Sequence, residues 1–556
     1  MNQCLDKNDI DSVLSDLRTC LVHEGKGITS VTPQAVFDAS SIRDSPQEQP
    51  YWSKKSFQNH LARTHPDATI PDTAIDALWS CFCFFAYHPF PLPGAESRKL
   101  ELPGFERAFI LLILQGTSVL GLVSDDFGHS WGRFDEPCNC RLRTNRIFRS
   151  ISLVDLPSSS EPYVTGFDTL VIDDVIDATL PIFPSHPKLH PSLEQLKPVA
   201  ERLLEGRTNQ YQTKTNDLTA LLSLMMRVRV NKSTWGRDIY YGSLEESSPE
   251  QEALAKSLAH SLSSNPGDEY LAPDSVLRAF EILPNLEQSF HQLWAVLFQP
   301  SPSSAEIPTA QVTEPSPDAS MDGILRAASL FIPPFQAHRR SEVARKVKAI
   351  TFHKSYDSLS HDLTDRFDLG RILPQALHDD PSGRAQLVLF LGHQAPESTP
   401  VVVGAFFPRG TQSPAATEGQ APGKIKPSRI ARPRLLFELQ PRFDLWRWNG
   451  SVSSAQASDR TTGHPEHPNG IGDLNGSKVG VEIDTGTGQT TFVRGAVPAA
   501  DDQIPSRYEE VTARWAHDGA ENTDGDPQER KTIFTATRLV VCGVEGGPDY
   551  EYPAWG

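Results

Sequence analysis

LLFELQPRFDLWRWNG, residues 435–450, decides how the chain is read. Leu435 to Leu439 and Phe443 to Trp448 are short runs of leucine and aromatic residues, types that fit a pleated, half-buried surface. Gln440 and Pro441 stand between them, so the segment reads as strand, turn, strand, a hairpin.

The same pattern continues on both sides. Upstream, QLVLFLG and PVVVGAFF are separated by the polar stretch His393 to Thr399, which predicts another hairpin. Downstream, KVGVEID alternates strictly, with Val479, Val481 and Ile483 on one face and Lys478, Glu482 and Asp484 on the other. TGTG turns that strand into QTTFVRG, and TIFTATRLVVCGV supplies a last strand. Consecutive hairpins predict an antiparallel sandwich, because a parallel sheet would need a helix between strands. Flanking helices are expected around Ser341 to Val347 and Ser358 to Phe367. Three polar insertions, Arg409 to Arg432, Ser451 to Ser477 and Val497 to Gln528, read as disordered loops.

Further upstream the period becomes helical. NDIDSVLSDLRTCLVHEG places Ile10, Val13, Leu14, Leu17 and Leu21 on one helical face. SKKSFQNHLARTHP and DTAIDALWSCFCFFAYHP repeat the pattern, each closed by His-Pro. Residues 108–124 read as a buried helix running into a strand. They are too short and too polar at Gln115 to Ser118 for a membrane span. FDTLVIDDVI reads as a strand, and Pro284 should divide the long helix before residue 300. Pro/Ser/Thr-rich residues 301–320 read as a linker. The expected organisation is a helical domain 1–145, a mixed and mainly helical region 146–300, the linker 301–320, a β-rich domain 321–545 and a tail 546–556.

The 556 residues carry 52 Lys plus Arg against 70 Asp plus Glu, a formal charge of −18. Such a chain is repelled by phosphate backbones, so nucleic acid is not an expected partner. Seven scattered cysteines, including the pairs Cys81/Cys83 and Cys138/Cys140, form neither a disulfide framework nor a zinc array. MNQCLDKNDI has neither a secretory pattern nor Gly at position 2, so direct membrane insertion or myristoylation is not expected.

With those strands in place, the chain from Met321 to Glu545 resembles the TLDc family. KAITFHKSYDSLSHDL resembles the family's opening strand and helix, and VVVGAFFPRG its hairpin with a Gly-Ala step at Gly404 and Ala405. In LLFELQPRFDLWRWNG, Phe437, Phe443, Trp446, Trp448 and Gly450 fall where the family places aromatics and glycine. His353 and Ser355 stand at the opening turn, where family members carry a His-Gly-Ser segment. Asp484 closes the alternating strand, and LVVCGVE resembles the closing strand. The glycine-rich run is thinned to Gly470, Gly472 and Gly476, and the family's cysteine-containing segment is replaced by an acidic loop. The resemblance implies an α+β chain: a mainly helical N-terminal region, then a TLDc-like antiparallel β-sandwich with flanking helices. It also implies a non-enzymatic regulatory adaptor linked to oxidative-stress resistance, with no cofactor or metal. Its implied partner is the vacuolar-type proton ATPase, bound from the cytoplasm, with the chain peripheral at the vacuole through that partner. The N-terminal helices resemble the fungal telomere-capping-restriction members.

Two rival readings stand beside it. Gly128–His129–Ser130–Trp131–Gly132 matches the G-x-S-x-G elbow of serine hydrolases, which would make Ser130 the nucleophile. That motif needs a strand before the serine and a helix after it, and Pro137 is expected to interrupt such a helix. The other rival is a scaffold acting through the helical half. Asp173, Asp174 and Asp177 lack the rest of a calcium loop and read as a solvated face. His353, Ser355 and Asp357 are too close in sequence to converge, and Ser355 or Ser358 reads as a helix N-cap. His464 and His467 read as loop residues, and TGTGQTT as a hairpin turn.

Overall fold

The computed structural model describes the chain from Ile10 to Pro548 except for 156–166, 183–192, 301–317, 334–346, 379–384, 409–432, 450–468, 495–507, 513–530 and shorter runs such as 125–129. The chain divides into two compact units, Met1–Val347 and Lys348–Gly556.

The first unit is mainly helical. Its helices are α1 (Ile10–Glu24), α2 (Pro33–Ser40), α3 (Lys54–Thr64), α4 (Asp72–Tyr87), α5 (Leu102–Leu112), α6 (Glu136–Ser150), α7 (Phe167–Thr179), α8 (Leu193–Leu204), α9 (Thr215–Arg227), α10 (Pro249–Ser261), α11 (Pro273–Ile282), α12 (Leu286–Leu297) and α13 (Ala319–Phe331). Among the described residues, three short antiparallel pairs accompany them: β1 (Leu122–Ser124) with β2 (Ser130–Gly132), β3 (Leu153–Asp155) with β4 (Gln210–Gln212), and β5 (Val228–Gly236) with β6 (Ile239–Leu244).

Local chemistry explains several of these boundaries. Ser53 caps α3 through a reciprocal box with Ser56, which satisfies two backbone donors at the helix start. Pro284 separates α11 from α12, as a missing N–H and a ring clash require. The core is aromatic, with Trp52, Phe57, Phe82, Phe105, Trp294 and Phe298 all buried. Two histidines cap the last turn of α12: His60 Nε2–H donates to the Leu297 carbonyl at 3.1 Å and His65 Nε2–H to that of Val296 at 2.9 Å. Both carbonyls lie in the last turn, beyond the regular i+4 ladder; Val296 also receives the Gln299 N–H at 3.3 Å, and the imidazoles add a side-chain donor to each.

Two expectations change here. FDTLVIDDVI is not a strand but most of α7. Its β-branched residues suit a strand by composition, yet a short apolar run does not separate the two states by periodicity. α13 belongs to the first unit, because the division falls after Val347 and not within residues 301–320. Asn285 Nδ2 donates to the carbonyls of Ser329 at 2.8 Å and Ile332 at 2.6 Å, and Arg326 pairs with Glu245 at 2.7 Å. Cys81 and Cys83 lie buried in α4, where residues two apart point to different faces.

The second unit is an antiparallel sheet. Its strands are β7 (Val347–Asp357), β8 (Ala385–Gln394), β9 (Thr399–Phe407), β10 (Leu435–Gln440), β11 (Asp444–Trp448), β12 (Gly470–Asp473), β13 (Val479–Ile483), β14 (Gln489–Arg494), β15 (Tyr508–Glu510) and β16 (Lys531–Pro548). They run in the order β12-β13-β14-β16-β8-β9-β10-β11-β15, with β7 also pairing β16. The hairpins β8–β9 and β10–β11 and the alternating β13 stand where the sequence places them.

The sheet folds back on itself. β11 and β14 stand far apart in strand order, yet the rings of Trp446 and Phe492 meet edge to face at 5.1 Å. Between the two halves lies one core, which includes Val388, Phe390, Val403, Leu436, Val481, Ile483, Leu539 and Val541. The observed class is α+β, with a helical N-terminal region and antiparallel sheets.

Of the two flanking helices expected, residues 341–346 and 361–365 lie outside the described residues; Val347 opens β7 and Ser358–Ser360 form one 3-10 turn. Among the described residues of this unit the α-helix is α14 (Leu369–His378), whose Leu369, Ile372 and Leu373 join the core. Two insertions read as loops each carry an edge strand, β12 on β13 and β15 on β11.

Candidate functional site

The β10–β11 hairpin gathers most of the residues singled out in the sequence. Phe437 and Phe443 are buried, and so is Trp446. Trp446 is therefore part of the core. Trp448 is half-buried, with its ring 5.1 Å from that of Tyr508 on β15. Gly450 lies outside the described residues. Gly404 on β9 pairs with Phe437, and a Cβ there would stand 2.8 Å from both Phe437 Cε2 and the Val388 carbonyl. Only hydrogen fits that position.

Asp484 ends β13. Its Oδ1 accepts from the backbone N–H of Gly486 at 2.8 Å and Thr487 at 3.3 Å. Those bonds stabilise the charged form and hold its pKa below the usual range. The TGTG segment is thus an Asx-stabilised hairpin turn.

His353, Ser355 and Asp357 do not converge. All three lie on β7, which has no N-cap to offer. His353 Nε2 meets Glu545 at 3.0 Å on the exposed side, and the Ser355 hydroxyl donates to the Val541 carbonyl at 3.0 Å. Asp357 receives Arg538 Nη2 at 2.6 Å and Lys354 Nζ at 2.9 Å, and its pKa is pushed down to about 2 because these bonds outweigh burial. Ser358 Oγ accepts the Leu539 N–H at 2.9 Å, which ties the end of β7 to β16.

Ser130 opens β2 instead of ending a strand that runs into a helix, so its backbone is not that of a nucleophile elbow. Gly128 and His129 lie outside the described residues. Pro137 does not interrupt a helix; it occupies the first turn of α6, where its missing N–H has no partner to lose.

Two buried ionic clusters were not foreseen. In the first unit, Asp174 and Asp177 on α7 are buried, not solvated. Arg146 on α6 reaches Asp174 at 2.7 Å and Asp177 at 2.5 Å. Arg149 pairs with Asp174 and lies over the Tyr211 ring, with its Cζ 4.4 Å from the centroid. Burial alone would raise the Asp174 pKa, but the two guanidiniums reverse that and lower it. His88 is buried nearby with neither ring nitrogen hydrogen-bonded to a described group, and burial brings its pKa down to about 3. The signal was present: Asp174/Asp177 and Arg146/Arg149 are both i, i+3 pairs, matched once both segments are helices.

In the second unit, Glu438 on β10 stands directly opposite Asp444 on β11. Both are buried. Arg494 on β14 bonds Glu438 from across the core. Its Nε lies 3.9 Å from Asp444 Oδ2, and Arg442 Nε donates to Asp444 Oδ1 at 2.9 Å. Burial pushes the Glu438 pKa up to about 7, with Arg494 opposing and Asp444 adding to the rise. A glutamate inside an otherwise apolar strand was the available signal, since a buried charge needs a partner.

Among the described residues, no group of three or more His, Cys, Asp or Glu is placed to hold a metal ion. None of the described helices is long and apolar enough to cross a membrane. No family model, no curated protein and no solved structure matches this chain significantly.

Proposed function

We propose that the chain is a divergent TLDc-type regulatory adaptor, without catalysis of its own, whose C-terminal unit docks on a protein partner. The partner we infer is the peripheral sector of the vacuolar-type proton ATPase, met in the cytoplasm at the vacuolar surface. The observation that carries the reading is the Gly404–Phe437 contact, which gives two family-type positions one shared packing reason. In support, the sequence blocks that resemble the family lie on β7, β8–β9, β10–β11 and β16, neighbours in one sheet. With Trp446 in the core, the surface we assign to contact is the β7–β16 pair around His353 on β7 and Glu545 on β16, both about half exposed.

Binding to isolated vacuolar-type ATPase tests this, scored by co-sedimentation and by release of its soluble sector. Saturable binding that is lost on removing residues 348–556 supports the adaptor. Absence of binding at high protein concentration removes the pump as partner.

A further inference from the structure

We propose that Glu438 and Asp444 share a single proton between facing carboxyl groups under a clasp from Arg494, and that losing this proton loosens β14 from the β10–β11 hairpin. Being a property of the sheet, the clasp does not depend on which partner the chain binds.

The pair is set by register. Glu438 and Asp444 are Cα partners in an antiparallel ladder, so their side chains leave the same face with Cβ atoms about 5 Å apart. Arg494 comes from the opposite half of the folded sheet and spans both carboxyls. It also donates to Thr532 Oγ1 on β16 at 2.5 Å. On the other flank of β10 the partner of Glu438 is Val403 of β9, which carries no charge. Arg442, half exposed, neutralises Asp444 through Oδ1 alone.

What remains is a matched set of buried atoms without partners. Glu438 Oε1, Asp444 Oδ2 and Arg494 Nε are each buried and make no hydrogen bond to a described group. Two ionised carboxylates would leave two acceptors facing one another, an arrangement that costs both desolvation and repulsion. One proton turns the two acceptors into a donor and an acceptor. The upward shift of Glu438 to about 7 agrees with this placement. When the pair ionises fully, the proton goes to solvent. The second charge is then relieved by opening the junction and hydrating Glu438.

The sign follows from linkage. The closed clasp holds a proton that the opened one, titrating near 4.5, releases. Closure is therefore favoured in acid and weakens as pH rises from about 4.5 to about 7, levelling off above.

The test is amide hydrogen exchange over residues 489–494 in the full chain, from pH 5 to pH 8 and corrected for intrinsic rates. The wild-type opening constant should rise roughly seventy-fold across that range. In Glu438→Gln, which keeps a donor and cannot ionise, it should stay flat. A flat wild-type profile, or an unchanged slope in Glu438→Gln, overturns the proposal. Should that variant fail to fold, infrared spectra of wild-type protein with isotope-labelled glutamate decide the matter. A label-sensitive protonated-carboxyl band at pH 6 that fades toward pH 8 supports the shared proton, and its absence overturns it.

Discussion

The ring of Phe437 occupies the space that a side chain on Gly404 would need, with Cε2 2.8 Å from where a Cβ would stand. The Val388 carbonyl closes the same space from β8 at 2.8 Å, so neither neighbour can withdraw without disturbing a ladder. Gly404→Ala should therefore lose about 2–3 kcal/mol of stability in the C-terminal unit. Adding Phe437→Leu should restore part of that loss, read by denaturant unfolding. Additive losses would show that the two positions are not coupled.

Trp446 and Trp448 should separate sharply. Trp446 is buried against Phe492, and truncation to alanine should cost about 3–5 kcal/mol. Trp448 is only partly buried and should cost clearly less. Equal midpoint shifts in thermal unfolding would contradict the packing described here.

Asp174 is held by two guanidiniums in the interior of the first unit. Asp174→Ala leaves Arg146 and Arg149 short of a counter-charge, and about 3–5 kcal/mol should be lost. Because its folded pKa is lowered, the carboxylate contributes stability at neutral pH that disappears in acid, as pH falls through the folded value. Chemical unfolding of the variant at neutral pH measures the first effect. A loss below 1 kcal/mol would mean the cluster is not buried as described.

His60 gives the first unit an acid response of its own. Burial holds its pKa down to about 3, whereas the unfolded imidazole titrates near 6.5. Protons therefore favour the unfolded chain, and stability should fall as pH drops from about 6.5 toward 3, by up to about 1.4 kcal/mol per pH unit. The sign is opposite to that of Glu438. His60→Gln keeps a donor for the Leu297 carbonyl and should reduce this slope, leaving the share that the other buried imidazoles such as His88 contribute; an identical slope would assign it to those groups.

The hairpins were legible because their residues alternate and their turns carry Gly or Pro, as at TGTG before Gln489 and at Pro441. Helix ends at His65 and His88 were legible for a related reason, each standing just before a proline. α7 was not, since Val171, Ile172, Val175 and Ile176 suit a strand as readily as a helix. That one error hid the shared face of Asp174 and Asp177. β12 and β15 were missed because an edge strand with one neighbour needs few buried residues, here Ile471 and Tyr508. α14 was not anticipated either, and it carries Pro374 in its middle, a residue that removes a helical N–H and does not favour a helix there. Nothing local marks Glu438 as meeting Arg494; only the folding over of the sheet joins them.

β16 has a consequence for how the protein is made. It is the last of the described strands, yet it lies inside the sheet and pairs with β7, β8 and β14. During synthesis the earlier strands emerge without it, and β8 waits with one edge bare until residues through Val544 have cleared the ribosome. Its partners lie up to about two hundred positions upstream, as with Thr351 and Glu545. Closure is consequently a late, long-range event, and the half-built sheet must be shielded from other chains in the meantime.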